Sequence, residues 1–410
     1  QNMKMKFLVL ALVLLAVLAT DPFASEDYEA GLLELEPGDE MFFWLTRSRA
    51  NPETDPLVLW LSGGPGCGDE MAIFFENGPW NINDDLTLTK NEYSWNEVSN
   101  VLFVDQPLGS GFSSTTNPDH RAITEDDVAA TFYVFLTKFL EKFPEYKERS
   151  FYITGESYAG HYIPAITAYI IEKNNSDINM VASAIGNGWV NPYLQYPIYR
   201  DFAIENDLLD GVASYLALAS YWICQSLINL DFKLLAFNHC EWTTDAIVNH
   251  AGGFNVYDIR EKESYDHSNV ERLIELPEVR QAIGVGEKPF ERCSGQVFKD
   301  MRADQILIFT PHVQYALDNG VGIFVYSGDK DYICNWRGGE AWTNEIFWSK
   351  QSEFRSAQYN KWIVDDEEAG EYKQVDNFAF LRFYDAGHMV PMNQPKRSLE
   401  MYKEFLAREF

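Results

Sequence analysis

The segment TGESYAGHYIP, residues 154–164, connects a short apolar run to an amphipathic one. The run before it, SFYITG, has the composition of a buried strand, and the run after it, HYIPAITAYIIEK, fits a helix. Gly155 and Gly160 flank Ser157, and small residues let a strand and a helix meet closely while a serine hydroxyl projects. The segment therefore predicts a nucleophilic Ser157 on a sharp turn. Its neighbour Glu156 is unexpected, because a negative charge there opposes the anion that forms during acyl transfer.

Other short apolar runs with the composition of buried strands lie on both sides of this segment. They are PLVLWL (56–61), NVLFVDQP (100–107), VASAIGNG (181–188), VGIFVYSGD (321–329) and FAFLRFYDAGH (378–388). Amphipathic segments such as residues 124–143 separate them. This alternation predicts an α/β protein with a mostly parallel central sheet flanked by helices. Residues 29–49 predict an antiparallel hairpin before the sheet, and residues 394–410 predict a closing helix.

Two stretches depart from this alternation. Residues 191–311 are helical, irregular and polar, contain three of the five cysteines and show no clear core strand. We interpret 191–311 as a cap inserted into a single catalytic domain that spans residues 20–410. The charged stretch DDEEAGE, residues 365–371, predicts a loop.

Two residues at predicted strand ends complete a candidate catalytic set. Asp331 and His388 each follow an apolar run, and the order nucleophile, acid, histidine is the one expected of an α/β-hydrolase fold. His388 would accept the proton of Ser157, and Asp331 would orient the imidazole. The loop SGGPG after PLVLWL offers backbone donors for an oxyanion, for which we expect Gly64 and Tyr158.

Composition restricts the setting in which the chain works. Its 410 residues carry a net charge of −30, which excludes binding of nucleic acid or of an anionic membrane by charge. Lys4 and Lys6 precede an apolar run, so residues 1–19 fit a secretory signal peptide. We expect a secretory-pathway protein, either secreted or in a lysosome or vacuole. No cysteine pair has metal-binding C-x-x-C spacing, and we expect neither a metal nor a cofactor.

The blocks WLSGGPGC, GESYAGHYIP, GDKDYICNW and GHMVP together resemble the serine carboxypeptidase family, which includes carboxypeptidase Y and cathepsin A. The resemblance extends from about Tyr28 to the end of the chain. It implies an α/β-hydrolase fold with a cap and the triad Ser157, Asp331 and His388. It also implies hydrolysis of the C-terminal bond of peptides and proteins at acidic pH through an acyl-enzyme. We expect a monomer or a homodimer without nucleic-acid or membrane partners.

The resemblance also implies a role for the unexpected carboxylate. In this family the glutamate before the nucleophile pairs with a second glutamate after the glycine block, which here is Glu76. Two carboxyl groups held together keep a proton at acidic pH. A protonated Glu156 could then donate a hydrogen bond to the terminal carboxylate of a peptide.

Further substrate contacts follow from the same resemblance. It places Trp60, Gly63 and Ser62 around the terminal carboxylate, although the family usually has asparagine where this chain has Ser62. Phe75 and Met389 match an apolar pocket for the leaving residue. The block Gly68-Asp69-Glu70 replaces the usual serines, and these additional acids leave basic leaving residues possible.

The cysteine pairing is likewise implied by the resemblance, because four paired cysteines allow three connectivities. It implies the bridges Cys67–Cys293 and Cys224–Cys240, with Cys334 as a free thiol. Asn174 begins the glycosylation sequon NNS.

Two alternative functions remain on the same scaffold. The first is an acyltransferase, which Glu156 disfavours because peptide ends need its hydrogen bond. The second is a non-catalytic protective or binding protein, which the intact triad disfavours.

Overall fold

The computed structural model of the protein describes residues 21–409. The expected signal peptide, residues 1–19, lies outside this range. The strands are β1 (Tyr28–Glu36), β2 (Asp39–Thr46), β3 (Leu57–Leu61), β4 (Trp80–Ile82), β5 (Leu88–Lys90), β6 (Asn100–Val104), β7 (Ser114–Thr115), β8 (Ser150–Ser157), β9 (Asn179–Gly188), β10 (Gly322–Gly328), β11 (Asn360–Val364), β12 (Glu367–Val375) and β13 (Phe378–Phe383).

One large sheet organises the domain, in the order β1-β2-β6-β3-β8-β9-β10-β13-β12-β11, with β7 paired to β2. The strands from β6 to β13 run parallel, whereas both edges are antiparallel. All residues of β3 and β6 are buried, as expected for parallel strands covered on both faces. The α/β prediction is confirmed.

Helices cover both faces of this sheet and form the insertion. They are α1 (Glu70–Phe75), α2 (Glu125–Lys142), α3 (Ala159–Lys173), α4 (Pro192–Glu205), α5 (Gly211–Asn229), α6 (Lys233–His250), α7 (Ser268–Ile274), α8 (Pro277–Ala282), α9 (Gly295–Asp300), α10 (Thr310–Asp318), α11 (Trp336–Glu345), α12 (Gln351–Ser356), α13 (Val390–Asn393) and α14 (Pro395–Ala407).

The predicted cap region, residues 191–311, connects β9 to β10 through helices and turns. The disulfide Cys67–Cys293 joins it to the glycine loop after β3, and Cys224–Cys240 joins α5 to α6. Among the helices of residues 21–409, α5 is the one that is long and apolar enough to cross a bilayer by length and composition. It packs against α4 and α6.

The prediction of a loop at residues 365–371 is wrong. Asp365 and Asp366 form a tight turn with φ angles of 53° and 63°, and β12 begins directly after it. The acids that suggested a loop lie on an edge hairpin, where Glu367 pairs with Arg397 at 2.7 Å. Charge is compatible with a strand when the side chains face solvent.

Helix α2 begins at a capping box. The Thr124 hydroxyl accepts a hydrogen bond from the Asp127 N–H, and the Asp127 carboxylate accepts one from the Thr124 N–H. We expect Thr124→Ala to lower the free energy of unfolding in urea by about 1 kcal/mol, because the Asp127 N–H loses its acceptor. Thr137→Ala, in the middle of the same helix, is the control and should change it by less than about 0.5 kcal/mol. Equal losses in both variants would contradict the importance of the cap.

Candidate active site

Ser157 is the last residue of β8 and has a φ angle of 65°. A non-glycine residue with positive φ is strained, and such strain concentrates at functional sites. A backbone hydrogen bond to the next strand fixes the turn, because the Trp189 N–H, directly after β9, donates to the Ser157 carbonyl at 2.9 Å. Tyr158 and α3 follow immediately, as the strand-to-helix prediction requires.

The glycine loop after β3 packs directly against this turn. A Cβ atom on Gly63 would lie 2.5 Å from the Tyr158 nitrogen and 2.7 Å from the Ser157 Cβ atom. Only glycine therefore permits this approach, which brings the loop beside the nucleophile. Gly64, the other expected oxyanion donor, follows with a φ angle of 116°, a value that also favours glycine.

His388 and Asp331 form a buried pair at the same edge of the sheet. The His388 Nδ1 atom lies 2.8 Å from the Asp331 Oδ2 atom, and the two side chains are 3% and 0% exposed. Because a carboxylate accepts, the imidazole donates through Nδ1 and leaves Nε2 free to act as a base. Asp331 follows β10 and His388 follows β13, so both lie at carboxyl ends of parallel strands.

Asn187 belongs to the candidate site by its contacts, and the sequence reasoning missed it. Its Nδ2 group donates to Asp331 Oδ2 at 2.8 Å, and its Oδ1 atom accepts from the Gly328 N–H at 3.2 Å. It lies near the carboxyl end of β9, between the strands that carry Ser157 and Asp331. A polar residue at the end of a predicted strand was the available signal.

Tyr257 was also missed, and the irregular sequence around it gave no signal. Its carbonyl accepts a hydrogen bond from the His388 N–H at 2.7 Å, and its ring centroid lies 5.1 Å from that of His388. The cap region therefore contributes a wall of the site.

Glu76 and Glu156 form a buried carboxyl pair beside the nucleophile, 5% and 7% exposed. Burial raises the pKa of Glu76 to about 7, against the opposing effects of a hydrogen bond with Glu156 and the charge of His388. Burial and the neighbouring Glu76 raise the pKa of Glu156 well above its usual range. The pair therefore holds a proton at acidic pH.

The other expected substrate-binding residues Trp60, Phe75 and Met389 are buried or half-buried. Trp60 is completely buried, and its Nε1 atom has no acceptor among residues 21–409. The Phe75 ring lies 5.0 Å from that of His267, and Met389 is 6% exposed. Phe75 and Glu76 line a cavity of about 280 Å³ together with Met392.

The acids after Cys67 do not line this cavity. Asp69 and Glu70 are 2% and 1% exposed and lie behind the glycine loop. The Ser62 N–H donates to Asp69 Oδ1 at 2.6 Å. The two acids that left a basic leaving residue possible are therefore buried behind the glycine loop and do not border this cavity.

Within residues 21–409, two groups of side chains each bring three potential metal ligands within 4.8 Å of one another. The first is Asp331, Cys334 and His388, which belongs to the candidate triad. The second is Glu36, Asp39 and His120, in which the His120 Nδ1 atom already lies 2.6 Å from the Asp39 carboxylate. The Asp331 and Asp39 carboxylates therefore already have hydrogen-bond partners within the protein.

The expected cysteine pairs are present in the structure, and Cys334 is free and buried. Burial and the charge of Asp331 raise the pKa of the Cys334 thiol well above its usual range. Asn174, which begins the sequon, is exposed at the carboxyl end of α3.

Comparison with known proteins identifies relatives along the whole domain. Residues 19–408 match the family described as serine carboxypeptidase. Serine carboxypeptidase-like 49 of Arabidopsis thaliana is 40% identical over 90% of this chain and 74% of its own length. Serine carboxypeptidase S10 family member 1 of Dictyostelium discoideum is 36% identical, with coverages of 89% and 90%. A prohormone-processing carboxypeptidase from Saccharomyces cerevisiae superposes with a TM-score of 0.84 at 28% identity, over 94% of this chain and 92% of its own.

The burial of Cys334 generates a prediction for thiol labelling. A disulfide reagent such as DTNB should react slowly with the native protein, because the thiol is neutral and inaccessible. Unfolding in guanidinium should release one reactive thiol per chain, which Cys334→Ser should abolish. Rapid labelling of the native protein would contradict the burial, and no thiol after unfolding would contradict the disulfide pairing.

Proposed function

This chain belongs to the serine carboxypeptidase family, and we propose that it removes single residues from the C-termini of peptides and proteins at acidic pH. Family and fold make it a serine-type carboxypeptidase. The buried Glu76–Glu156 pair next to Ser157 supports the finer proposal, because such a pair suits recognition of a free carboxylate at low pH.

The proposed chemistry is acyl transfer to Ser157. The His388 Nε2 atom takes the hydroxyl proton while the oxygen attacks the carbonyl of the last peptide bond. Asp331 stabilises the resulting imidazolium, and Asn187 holds Asp331 in place. The imidazolium then protonates the departing amine, which leaves as a free amino acid and an acyl-enzyme ester remains. Water, deprotonated by His388, hydrolyses this ester and regenerates Ser157.

The negative charge of the tetrahedral intermediate needs donors that are already in position. The backbone N–H groups of Gly64 and Tyr158 are proposed for this role, because Gly63 brings the two backbones together beside Ser157. Donors fixed in advance lower the barrier without reorganisation during the reaction.

Glu156 is proposed to read the peptide terminus. While the pair holds its proton, it donates to the terminal carboxylate, with Trp60 Nε1 and Gly63 as further contacts. The proton also removes the charge conflict with the nearby oxyanion. As pH rises through the raised pKa of Glu76, about 7, the pair gains a negative charge that opposes the substrate carboxylate, and loss of the proton held more tightly by Glu156 then removes the donor.

The proposed leaving-residue pocket is apolar on the side of Phe75 and Met389. We propose that the protein acts in an acidic part of the secretory pathway, in a lysosome or vacuole or after secretion. Two disulfides fit an oxidising compartment, and exposed Asn174 is the proposed glycosylation site.

The direct test is a peptide incubated at about pH 5, where carboxyl pairs titrate, and followed by mass spectrometry. Wild type should produce a ladder shortened from the C-terminus, and Ser157→Ala should remain folded and produce none, because nucleophile and base act as a unit. His388→Ala should likewise remain folded and produce no ladder. An intact peptide with wild type, or acylation of an added alcohol in place of hydrolysis, would contradict the proposal.

The role of Glu156 predicts different pH profiles for two substrates. KM for a peptide with a free C-terminus should rise from about pH 4.5 to 8, because the pair gains negative charge as Glu76 loses its proton. KM for the same peptide as an amide should not, because a blocked terminus needs no proton donor. Glu156→Gln keeps a donor that cannot ionise, so it should bind more weakly at acidic pH but flatten the rise.

Glu404→Gln is the matched control for that variant. Glu404 is a half-buried carboxyl on α14 that accepts a hydrogen bond from Trp362 and has no place in the proposed site. Its variant should retain the wild-type profile. Identical profiles of the free and amidated peptides in wild type would show that Glu156 does not read the carboxylate.

A further inference from the structure

A second group of buried carboxyls lies behind the glycine loop, and the proposed mechanism does not use it. Its members Asp69, Glu70 and Asp105 are 2%, 1% and 1% exposed. No lysine, arginine or histidine within residues 21–409 forms an ion pair with any of them. Buried carboxyls without a cation must hold protons or pay a large desolvation cost.

Two members of this carboxyl cluster tie the glycine loop to the sheet. Asp69 Oδ1 accepts from the Ser62 N–H at 2.6 Å, and Asp69 Oδ2 accepts from the Val104 N–H at 2.8 Å. Asp105 Oδ1 accepts from the Asp69 N–H at 2.9 Å, and Asp105 Oδ2 accepts from the Phe112 N–H at 2.7 Å. These bonds join the ends of β3 and β6 where the loop begins.

Glu70 differs, because no donor of the described chain reaches either of its carboxyl oxygens. It lies against Asp105. A Cβ atom on Gly68 would be 2.5 Å from Glu70 Oε2 and 2.9 Å from Asp105 Oδ1, so both oxygens border one small space. Glycine at position 68 therefore allows the two carboxyl groups to meet, and a proton between them would satisfy Glu70 as donor and Asp105 as acceptor.

The other charged groups around the cluster do not neutralise it. On the nucleophile side, Glu156 and Tyr162 experience the field of Asp69. On the cap side, α7 packs against α1, and Arg292 is paired with Glu271 at 3.1 Å. Burial and the charge of Asp105 raise the pKa of Glu70 well above its usual range.

We propose that Glu70 is a positioning residue for the glycine loop. Its protonated carboxyl, which shares the proton with Asp105, fixes Ser62–Gly64 at acidic pH and releases them when the carboxyl cluster ionises. The inference rests on the proposed function, because it concerns the loop that carries Gly64. It adds a second proton-dependent element that acts on catalysis and not on recognition of the substrate carboxylate.

The direction of the pH effect follows from the raised pKa. The folded protein binds the Glu70 proton more tightly than the unfolded chain does. The stabilisation is therefore complete below the ordinary glutamate pKa and is lost as pH rises through the folded value. Ionisation of Glu70 places its negative charge beside Asp105 and Asp69, behind the glycine loop. Repulsion then loosens the hydrogen bonds that Asp69 accepts from the Ser62 and Val104 N–H groups.

The test measures kcat against pH for a C-terminally blocked ester, which does not need the Glu76–Glu156 donor. Wild-type kcat should fall by up to about tenfold per pH unit above the titration of the cluster. Glu70→Gln donates to Asp105 without ionising, so it should retain kcat where wild type has lost it, with KM unchanged. Glu404→Gln should follow wild type. An alkaline limb that is the same in Glu70→Gln and wild type would overturn the proposal.

Hydrogen exchange of the segment Ser62–Glu70 gives a readout that does not depend on activity. In wild type, its protection should decrease with pH beyond the intrinsic change in exchange rate, and Glu70→Gln should remove this excess. If Glu70→Gln does not fold, Glu70→Met, which has a side chain of similar length that cannot ionise, should also remove this excess. Exchange without excess pH dependence in wild type would reject the role of Glu70, whereas absent hydrolysis with intact exchange behaviour would reject only the proposed function.

Discussion

Carboxyl groups buried beside one another without an ion-pair partner can remain neutral only by holding protons, and this constraint recurs around Ser157. The pair next to the nucleophile is Glu76 with Glu156, and the carboxyl cluster lies behind the glycine loop. A third group lies behind Tyr158, whose hydroxyl donates to Asp304 at 2.9 Å beside the buried Glu125. Burial raises the pKa of Glu125 and, to about 6, that of Asp304. Protonation of each group therefore stabilises the folded protein at acidic pH, and each group borders a proposed part of the reaction centre.

The fold explains why these groups meet. Neighbouring parallel strands present their carboxyl ends at one edge of the sheet, and β3, β8, β9, β10 and β13 all contribute residues there. The backbones of the glycine loop and of the turn at Ser157 lie so close together that no side chain fits at Gly63. Such proximity excludes water from the side chains it brings together, so the arrangement that positions the proposed nucleophile also raises the carboxyl pKa values.

Local patterns allowed the sheet and the residues at its strand ends to be predicted, because buried parallel strands are short apolar runs and Ser157, Asp331 and His388 each follow one. Asn187 obeys the same rule but has no distinctive chemistry until Asp331 is seen beside it. The environment of Glu70 could not be predicted, because it depends on Asp105 from another strand end. The strand β12 was missed because surface acids on an edge hairpin resemble a loop in sequence.

The proposed roles of the Glu76–Glu156 pair and of Glu70 differ in the step they control. The Glu76–Glu156 proton would contact substrate, so its loss weakens binding of a free C-terminus and leaves a blocked one unaffected. The Glu70 proton would contact only Asp105, so its loss changes the loop for every substrate. A chain that carries both would lose recognition and catalysis together as pH rises. Glu156 beside a nucleophile is then compatible with catalysis, because in the acidic range where the loop is ordered the same residue carries no charge.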